Sequence, residues 1–475
     1  MPSNRRDFLK GCCAAAIGAG AGRAMAFFDP AGLSGGKSAA TGDVLVYVFL
    51  RGAMDGLHLV VPWAGPDRVA YEAKRIIAGT SLVIPTSRLR RIGSTNWAWH
   101  PRAGGGTGDA VTTPAKWLQK LYNANRLGIV HAAGMPTPNR SHFEAQAMME
   151  LGTPGLTGGS SGWLARYLEA ATGLPTPVIA PAYGFGSNLQ TSLVGLDEAV
   201  GFSDASQFRI DGFHWGWDDD DSGITGYQPA HTHLYPLWSG NSSLERAGRD
   251  AADALEYMRT FNFDPYHPTD NPGGYQPGGG ATYPSDDFGT QLRNLAQMLK
   301  SPLKTGLIAA AVDHGFWDTH ESQGMPNPGV ANHWDVFGNL VEELGSALEA
   351  FYSDLNATSI GGGRTLMDQV TVIVQSEFGR RVLPNASGGS DHGYGNVMLA
   401  IGNRVHGGQL HGSFPGLDDN SLYEGEDVAV TTDYRQILSE ALIDRMGLPA
   451  GQIGQVFPGF SHASGAGVPN VFNTG

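Results

Sequence analysis

The chain has 475 residues, with 45 acidic and 31 basic side chains and a formal net charge of −14 at neutral pH. This balance excludes a protein whose main partner is nucleic acid, because phosphate binding needs clustered Lys and Arg, and the sequence contains no basic cluster. Cys12 and Cys13 are the two cysteines. If the N-terminal segment is removed, disulfides, thiolate nucleophiles, Cys-ligated zinc and iron–sulfur clusters are all excluded.

The N-terminus reads "MPSNRRDFLKGCCAAAIGAGAGRAMA". Paired Arg5 and Arg6, a Gly/Ala-rich apolar stretch and a small-residue end at Ala26 predict a twin-arginine signal peptide over residues 1–26. The apolar stretch is too short and too weakly apolar to span a bilayer, so we expect no stable membrane anchor. We therefore expect the twin-arginine export machinery to deliver the protein to the periplasm or beyond. The segment has four basic residues and one acidic residue, so its removal takes the net charge from −14 to −17.

The rest of the chain, residues 27–475, is predicted to form a single domain. Its composition shifts at about residues 213–281, which are rich in Gly, Pro, Asp and Tyr. We interpret this stretch as a loop-rich insertion within the domain.

Short apolar runs indicate the core strands. They are continuous rather than alternating, which is typical of strands covered on both faces, as in a parallel sheet between helix layers. Periodic stretches typical of helices separate them. The fold class is therefore α/β, with a central, mostly parallel sheet sandwiched between helices. The predicted strands are Val44 to Leu50, Leu127 to Val130, Leu307 to Val312, Val370 to Val374 and Val397 to Ile401.

Acidic and imidazole side chains recur where these runs end. Loops at the carboxyl ends of parallel strands converge on one crevice, where ligands bind. Without thiolates, Asp, Glu and His suit zinc, manganese or iron, and two such ions can flank an anionic ester. The predicted metal ligands, in chain order, are Asp55, Asp318, His320, Glu377, Asp391 and His392.

Each of these residues also has a plain structural interpretation. Asp55 could be a turn residue before a glycine, and Asp318 could cap a helix. Glu377 could pair with Arg380 or Arg381, and the Asp391-His392 pair could only hydrogen-bond its own loop. His58, His142 and His314 lie near these residues in sequence and are candidates either for donors that orient ligands or for packed side chains.

The segment "NRSHFEAQ" follows the second run and supplies the candidate catalytic residues. Ser141 is placed at a helix start, where amide dipoles would bind an anion and activate a hydroxyl. Ser141 and Glu144 also fit a capping box, and Thr137 is a second candidate nucleophile. Arg140 would clamp a phosphate or sulfate, or would be a structural surface residue.

A set of ordered motifs then carries a family resemblance: "LRGAMDGL", "NRSHFEAQ", "GWLARYL", "GFWDTHESQ", "SEFGR", "GSDHGYGNVMLAIG", "GGQLHGSFPGL" and "TTDYRQIL". From about Asp43 to its C-terminus, the chain resembles the exported family catalogued as domain of unknown function 1501. That family is similar in fold to the alkaline phosphatase and sulfatase superfamily.

The resemblance implies an alkaline-phosphatase-like fold and a two-metal hydrolase of phosphate or sulfate esters. It implies that Asp55 binds the second metal, that Asp318 and His320 bind the first with His392, and that Glu377 replaces the superfamily's acid after the fourth strand. Two departures stand out. Phe378 follows Glu377 where these phosphatases have His, and Pro136 occupies the position that formylglycine sulfatases need for Cys or Ser.

The sequence thus predicts an exported, metal-dependent hydrolase of an anionic ester, with two divalent ions, zinc or manganese being preferred. Two alternatives stay open. One is a non-catalytic exported binding or assembly protein that retains the fold. The other is a metal-dependent oxidoreductase, although no nucleotide-binding glycine pattern follows a strand.

Overall fold

A computed structural model describes residues 42–104, 114–171, 181–186, 188–196, 199–202, 235–240, 242, 245, 261–301, 306–324, 335–465 and 468–473. The predicted signal peptide and most of the predicted insertion at 213–281 lie outside the described residues. No helix within these ranges is both long and apolar enough to cross a membrane.

A nine-stranded sheet forms the centre of the described chain. Its spatial order is β8-β2-β7-β6-β1-β5-β3-β4, and β9 also pairs with β2. The strands are β1 (Val44–Leu50), β2 (Leu127–Gly134), β3 (Ala182–Phe185), β4 (Ala199–Phe202), β5 (Ala309–His314), β6 (Val370–Ser376), β7 (Asn396–Ile401), β8 (Leu410–His411) and β9 (Thr432–Asp433).

Every strand except β7 runs in the same direction, so the predicted mostly parallel sheet is confirmed. Strand β7 lies antiparallel between β6 and β2. Its N-terminal end therefore lies at the sheet edge where the parallel strands have their carboxyl ends. This direction explains why Asp391 and His392 precede a strand whereas Asp318 and His320 follow one.

Helices cover both faces of the sheet. Alternate residues of β1 enter two separate cores: Val46 and Val48 pack on one side, and Tyr47 and Phe49 on the other. The first core contains residues of α1 (Pro66–Lys74), α2 (Trp117–Asn123), α5 (Asp287–Leu299) and α6 (Val336–Asn356). The second contains residues of α3 (His142–Leu151), α4 (Trp163–Ala170) and α7 (Tyr434–Asp444). Burial on both faces is the reason that the strands read as continuous apolar runs.

A small four-stranded sheet lies beyond the carboxyl edge, in the order Ser390–His392, Arg380–Pro384, Asp427–Val428, Leu422–Tyr423. His392 pairs there with Arg380. The other short strands are Val60–Pro62, Ile76–Ile77, Thr80–Ser81, Arg90–Arg91, Trp97–Trp99, Ser359–Gly361 and Arg364–Thr365. Short helical turns are Gly56–Leu59, Thr86–Arg88, Pro101–Ala103, Thr191–Leu193, Tyr235–Trp238, Leu366–Asp368, Ala450–Gln452 and Ile453–Val456.

Glu440 on α7 is a buried acid that does not belong to the carboxyl edge. It is 4% exposed, and its Oε1 accepts a 2.8 Å hydrogen bond from the backbone N–H of Phe472. Its Oε2 has no partner among the described residues. Burial raises the pKa of Glu440 from its ordinary value of 4.5 to about 7.

We therefore expect Glu440→Gln to stabilise the protein at pH 8. The folded state holds the carboxyl proton up to about pH 7, whereas the unfolded state releases it near pH 4.5. The stabilising contribution of the protonated form is thus complete below pH 4.5 and is lost as the pH rises through 7. The variant avoids that loss and should gain on the order of 2–3 kcal/mol at pH 8, but little at pH 5. Urea unfolding at both pH values measures the difference. Exposed Glu169→Gln is the control, and an equal gain in both variants would contradict the assignment.

Candidate metal site

Three histidines and one aspartate converge beyond the carboxyl edge of the sheet. His142 Nε2, Asp318 Oδ1 and His392 Nε2 all lie within 4.8 Å of one another. His392 Nε2 is 2.9 Å from His142 Nε2 and 2.8 Å from His320 Nε2. Asp318 Oδ1 is 3.4 Å from His142 Nε2, 3.1 Å from His320 Nε2 and 3.3 Å from His392 Nε2. We call these four residues the histidine cluster.

The opposite nitrogen of each ring contacts an oxygen that can only accept a hydrogen bond. His142 Nδ1 lies 2.8 Å from Glu377 Oε1, and His320 Nδ1 lies 3.1 Å from Asp391 Oδ1. His392 Nδ1 lies 2.7 Å from the backbone oxygen of Arg140. Each Nδ1 must therefore donate its proton, which fixes the tautomer. In a neutral ring the Nε2 lone pair then points into the cluster.

When the three rings are neutral, this arrangement brings together four electron-pair donors, three imidazole nitrogens and one carboxylate oxygen. Three imidazole lone pairs and a carboxylate at 2.8–3.4 Å repel one another unless a cation lies between them. A zinc ion with ligands at 2.0–2.1 Å keeps them roughly 3.3 Å apart in a tetrahedral site. The donor set and its spacing therefore fit a divalent metal ion.

Glu377 orients His142 rather than pointing into the cluster. It is fully buried, and its Oε1 also accepts hydrogen bonds from Gln146 Nε2 (2.7 Å) and Gly52 N (2.9 Å). Burial alone would raise the pKa of Glu377, but the hydrogen bonds from His142 and Gln146 outweigh it and hold this pKa below its ordinary value. Sequence reasoning expected Glu377 as a ligand and His142 at most as an orienting donor. In the structure His142 Nε2 faces the histidine cluster, and Glu377 accepts the hydrogen bond from the opposite nitrogen of that ring.

Asp391 has the same relation to His320. Its Oδ1 also accepts a 3.0 Å hydrogen bond from Asn385 Nδ2. That bond is the main reason that the pKa of Asp391 lies below its ordinary value, and His320 adds to the effect. Predicted as a ligand, Asp391 is instead placed as a positioning residue for His320.

Asp318 is held in place by Arg380, which is almost completely buried. The guanidinium of Arg380 also donates to the backbone oxygens of Gly52 and Ala53, each at 2.9 Å. Burial acts to raise the pKa of Asp318, but the hydrogen bond and charge of Arg380 outweigh it and lower the pKa to about 2. Arg380, considered in the sequence as a partner for Glu377, therefore keeps Asp318 ionised.

Two histidines of the cluster, His142 and His392, have pKa values that are shifted in opposite directions. The hydrogen bond to Glu377 raises the pKa of His142, whereas burial lowers the pKa of His392.

Asp55 is not brought into the histidine cluster. It is fully buried, and its Oδ2 accepts hydrogen bonds from Arg75 at 2.7 Å and from Gln323 Nε2 at 2.5 Å. Its Oδ1 accepts a 3.0 Å bond from the backbone N–H of His58, as the cap of the turn Gly56–Leu59. Both oxygens are thus occupied, which agrees with the structural interpretation of Asp55 rather than with a ligand role.

The guanidinium of Arg140 is likewise not free to bind an anion. Its guanidinium pairs with buried Asp427 and with Glu424, the latter at 2.9 Å. Its contribution to the site is the backbone oxygen that orients His392.

Ser141 directly precedes α3 but does not cap it with its side chain. Glu144 instead accepts a hydrogen bond from Asn139, so the predicted capping box is absent. Ser141 thus lies between Arg140, which orients His392, and His142 of the cluster. Its role as a nucleophile stays a prediction.

Comparisons with known proteins bear on part of the chain. Residues 295–457 match the family described as "Protein of unknown function (DUF1501)". A search among curated proteins finds no match. Among solved structures, the chain is similar to the lipoteichoic acid synthase LtaP from Listeria monocytogenes, with 9% sequence identity and a TM-score of 0.27. That alignment covers 72% of this chain and 57% of the other. The family match contains Asp318, His320 and His392, and over this stretch it confirms the family resemblance drawn from the motifs.

Proposed function

We propose that this protein is an exported, metal-dependent hydrolase of a phosphate or sulfate ester. In this proposal His142, Asp318 and His392 bind one divalent ion, zinc or manganese, with His320 as a further ligand. The observation that carries it is the convergence of three Nε2 lone pairs and one carboxylate, all with fixed orientations. Structural carboxylates do not need three histidines aimed at a common point.

A bound ion would supply positive charge to polarise an ester oxygen or to acidify a water molecule. The chain itself would provide orientation. Glu377, Asp391 and the backbone oxygen of Arg140 would hold the three rings, and Arg380 would keep Asp318 ionised. Such partners behind the ligands tune metal affinity as strongly as they fix geometry.

The proposal is for one ion rather than two. The sequence predicted a two-metal site in which Asp55, Glu377 and Asp391 would serve as ligands. In the structure Asp55 is paired with Arg75, and the other two acids are hydrogen-bonded to histidines. The donors that converge therefore support a single ion.

The N-terminus of α3 supports an anionic substrate. Helix α3 has ten residues and begins at His142, so its first-turn amides and partial positive charge lie beside the cluster. Because Ser141 makes no capping hydrogen bond, its hydroxyl is the preferred nucleophile in this proposal.

The test is hydrolysis by the zinc- or manganese-loaded protein of p-nitrophenyl phosphate, bis-p-nitrophenyl phosphate and p-nitrophenyl sulfate. We expect Ser141→Ala to lower kcat by on the order of 10²- to 10⁴-fold with unchanged metal content. Ser387→Ala, an exposed serine of the loop before His392, should retain full activity. A loaded protein that hydrolyses none of these esters contradicts the proposal and favours a non-catalytic binding or assembly protein.

One observation favours a metal-dependent oxidoreductase as the second candidate. Without His320 as a ligand, His142, Asp318 and His392 form a set of two histidines and one carboxylate, the ligand type of many non-haem iron oxygenases. Iron that is retained after purification from the native source and changes its electron paramagnetic resonance signal with oxygen would favour this candidate over the hydrolase.

A further inference from the structure

A cavity of about 1050 Å³ opens at the carboxyl edge of the sheet, next to the histidine cluster. It lies where β1, β5 and β3 end, which is the usual position of a ligand crevice in a parallel sheet. Two chain segments contribute to both places. His142 belongs to the cluster while Phe143 and Gln146 line the cavity, and Phe316 lines the cavity two residues before Asp318.

The walls of this cavity are acidic. Among the described residues that line it, the only arginine is Arg51, which is already paired with buried Glu150 at 2.7 Å and with partly exposed Asp313 at 2.8 Å. These two carboxylates leave Arg51 without positive charge to offer to a ligand. The cavity is therefore unsuited to an anion.

Three more acids face the same space: Asp286, Asp287 and Glu343. Among the described residues, no lysine or arginine pairs with them. Glu343 contacts His314 Nε2 at 3.4 Å, and His314 Nδ1 accepts a hydrogen bond from Trp317 Nε1. The cavity thus has a clear excess of negative charge.

Two aromatic rings add a second, independent feature. Phe143 is 90% exposed and Phe316 is 86% exposed, and they line the cavity from two separate segments, α3 and the loop after β5. Exposed rings beside carboxylates suit an organic cation, because ammonium groups bind favourably to aromatic faces.

We propose that this cavity binds a small organic cation, with an amine or quaternary ammonium group held by Glu343 and Asp287 and its apolar part against Phe143 and Phe316. The site goes beyond the proposed hydrolysis and does not need the metal ion. Its test therefore measures binding alone.

Choline and its neutral isostere 3,3-dimethylbutan-1-ol are suitable probes, titrated by calorimetry at low salt. We expect the wild-type protein to bind choline at least about tenfold more tightly than the alcohol, and less tightly as salt is added. Glu343→Gln and Asp287→Asn should each weaken choline binding about threefold to tenfold. Phe143→Leu should weaken it about twofold to fivefold while the helix is retained.

Glu349→Gln is the matched control, since it removes the same charge from the same helix, α6, outside the cavity. Circular dichroism of each variant confirms folding. The inference is overturned if millimolar choline does not bind, if the alcohol binds equally well, or if Glu343→Gln and Glu349→Gln have the same effect.

Discussion

His392→Ala is expected to reduce bound zinc or manganese from about one ion per chain to nearly none, and to abolish ester hydrolysis. His392 Nε2 is in contact with both other imidazoles, at 2.8 and 2.9 Å, and with Asp318 at 3.3 Å. Its loss removes the nitrogen that contacts the other three members of the histidine cluster. Elemental mass spectrometry after dialysis gives metal content, and titration against a chelator gives affinity.

Glu377→Gln provides a graded comparison. The amide keeps the shape of the side chain but offers His142 Nδ1–H a neutral acceptor, so metal affinity should fall about 10- to 100-fold without loss of all bound metal. Exposed His267→Ala is the matched control and should change nothing. Retention of a full ion by His392→Ala would mean that the cluster is not the metal site.

Arg75→Met is expected to lower the free energy of unfolding by about 3–5 kcal/mol, because it leaves the carboxylate of Asp55 buried without its counter-charge. Asp55 and Arg75 have 1% and 0% of their side chains exposed. Urea unfolding at neutral pH measures the change. Arg91→Met, at an exposed arginine of the strand Arg90–Arg91, should cost less than about 1 kcal/mol.

Adding Asp55→Asn to Arg75→Met should recover much of the lost stability, because the buried charge is then absent. Asp55→Asn alone should leave metal content per folded chain unchanged. If it instead empties the site, Asp55 is a ligand after all, and the two-metal arrangement implied by the family resemblance must be restored.

The strands and their ends could be predicted because each strand is encoded by a short apolar run in the local sequence. Continuous apolar runs located β1, β2, β5, β6 and β7 to within a few residues. Strands β3 and β4 were missed, since each has four residues and includes a glycine, Gly184 or Gly201. Such short runs are not distinct from loops in a glycine-rich chain.

The division of roles within the site could not be predicted. Whether Glu377 or His142 faces the histidine cluster depends on the direction of each side chain from its strand or helix end. It also depends on Gln146 and Gly52, which only the folded chain brings near Glu377. The pairing of Asp55 with Arg75 is likewise a contact between separate elements. Sequence reveals which residue types gather at an edge, whereas packing decides which of them point inward.

The antiparallel direction of β7 has a consequence for the order of folding. His142, Asp318 and His392 come from distant parts of the chain, and His392 reaches the others only when β7 has paired with β6 and β2. A nascent chain without that strand has not yet assembled the proposed ligand set. Binding of the proposed metal ion would therefore follow completion of the sheet. The free energy of that binding would stabilise a topology that has already formed.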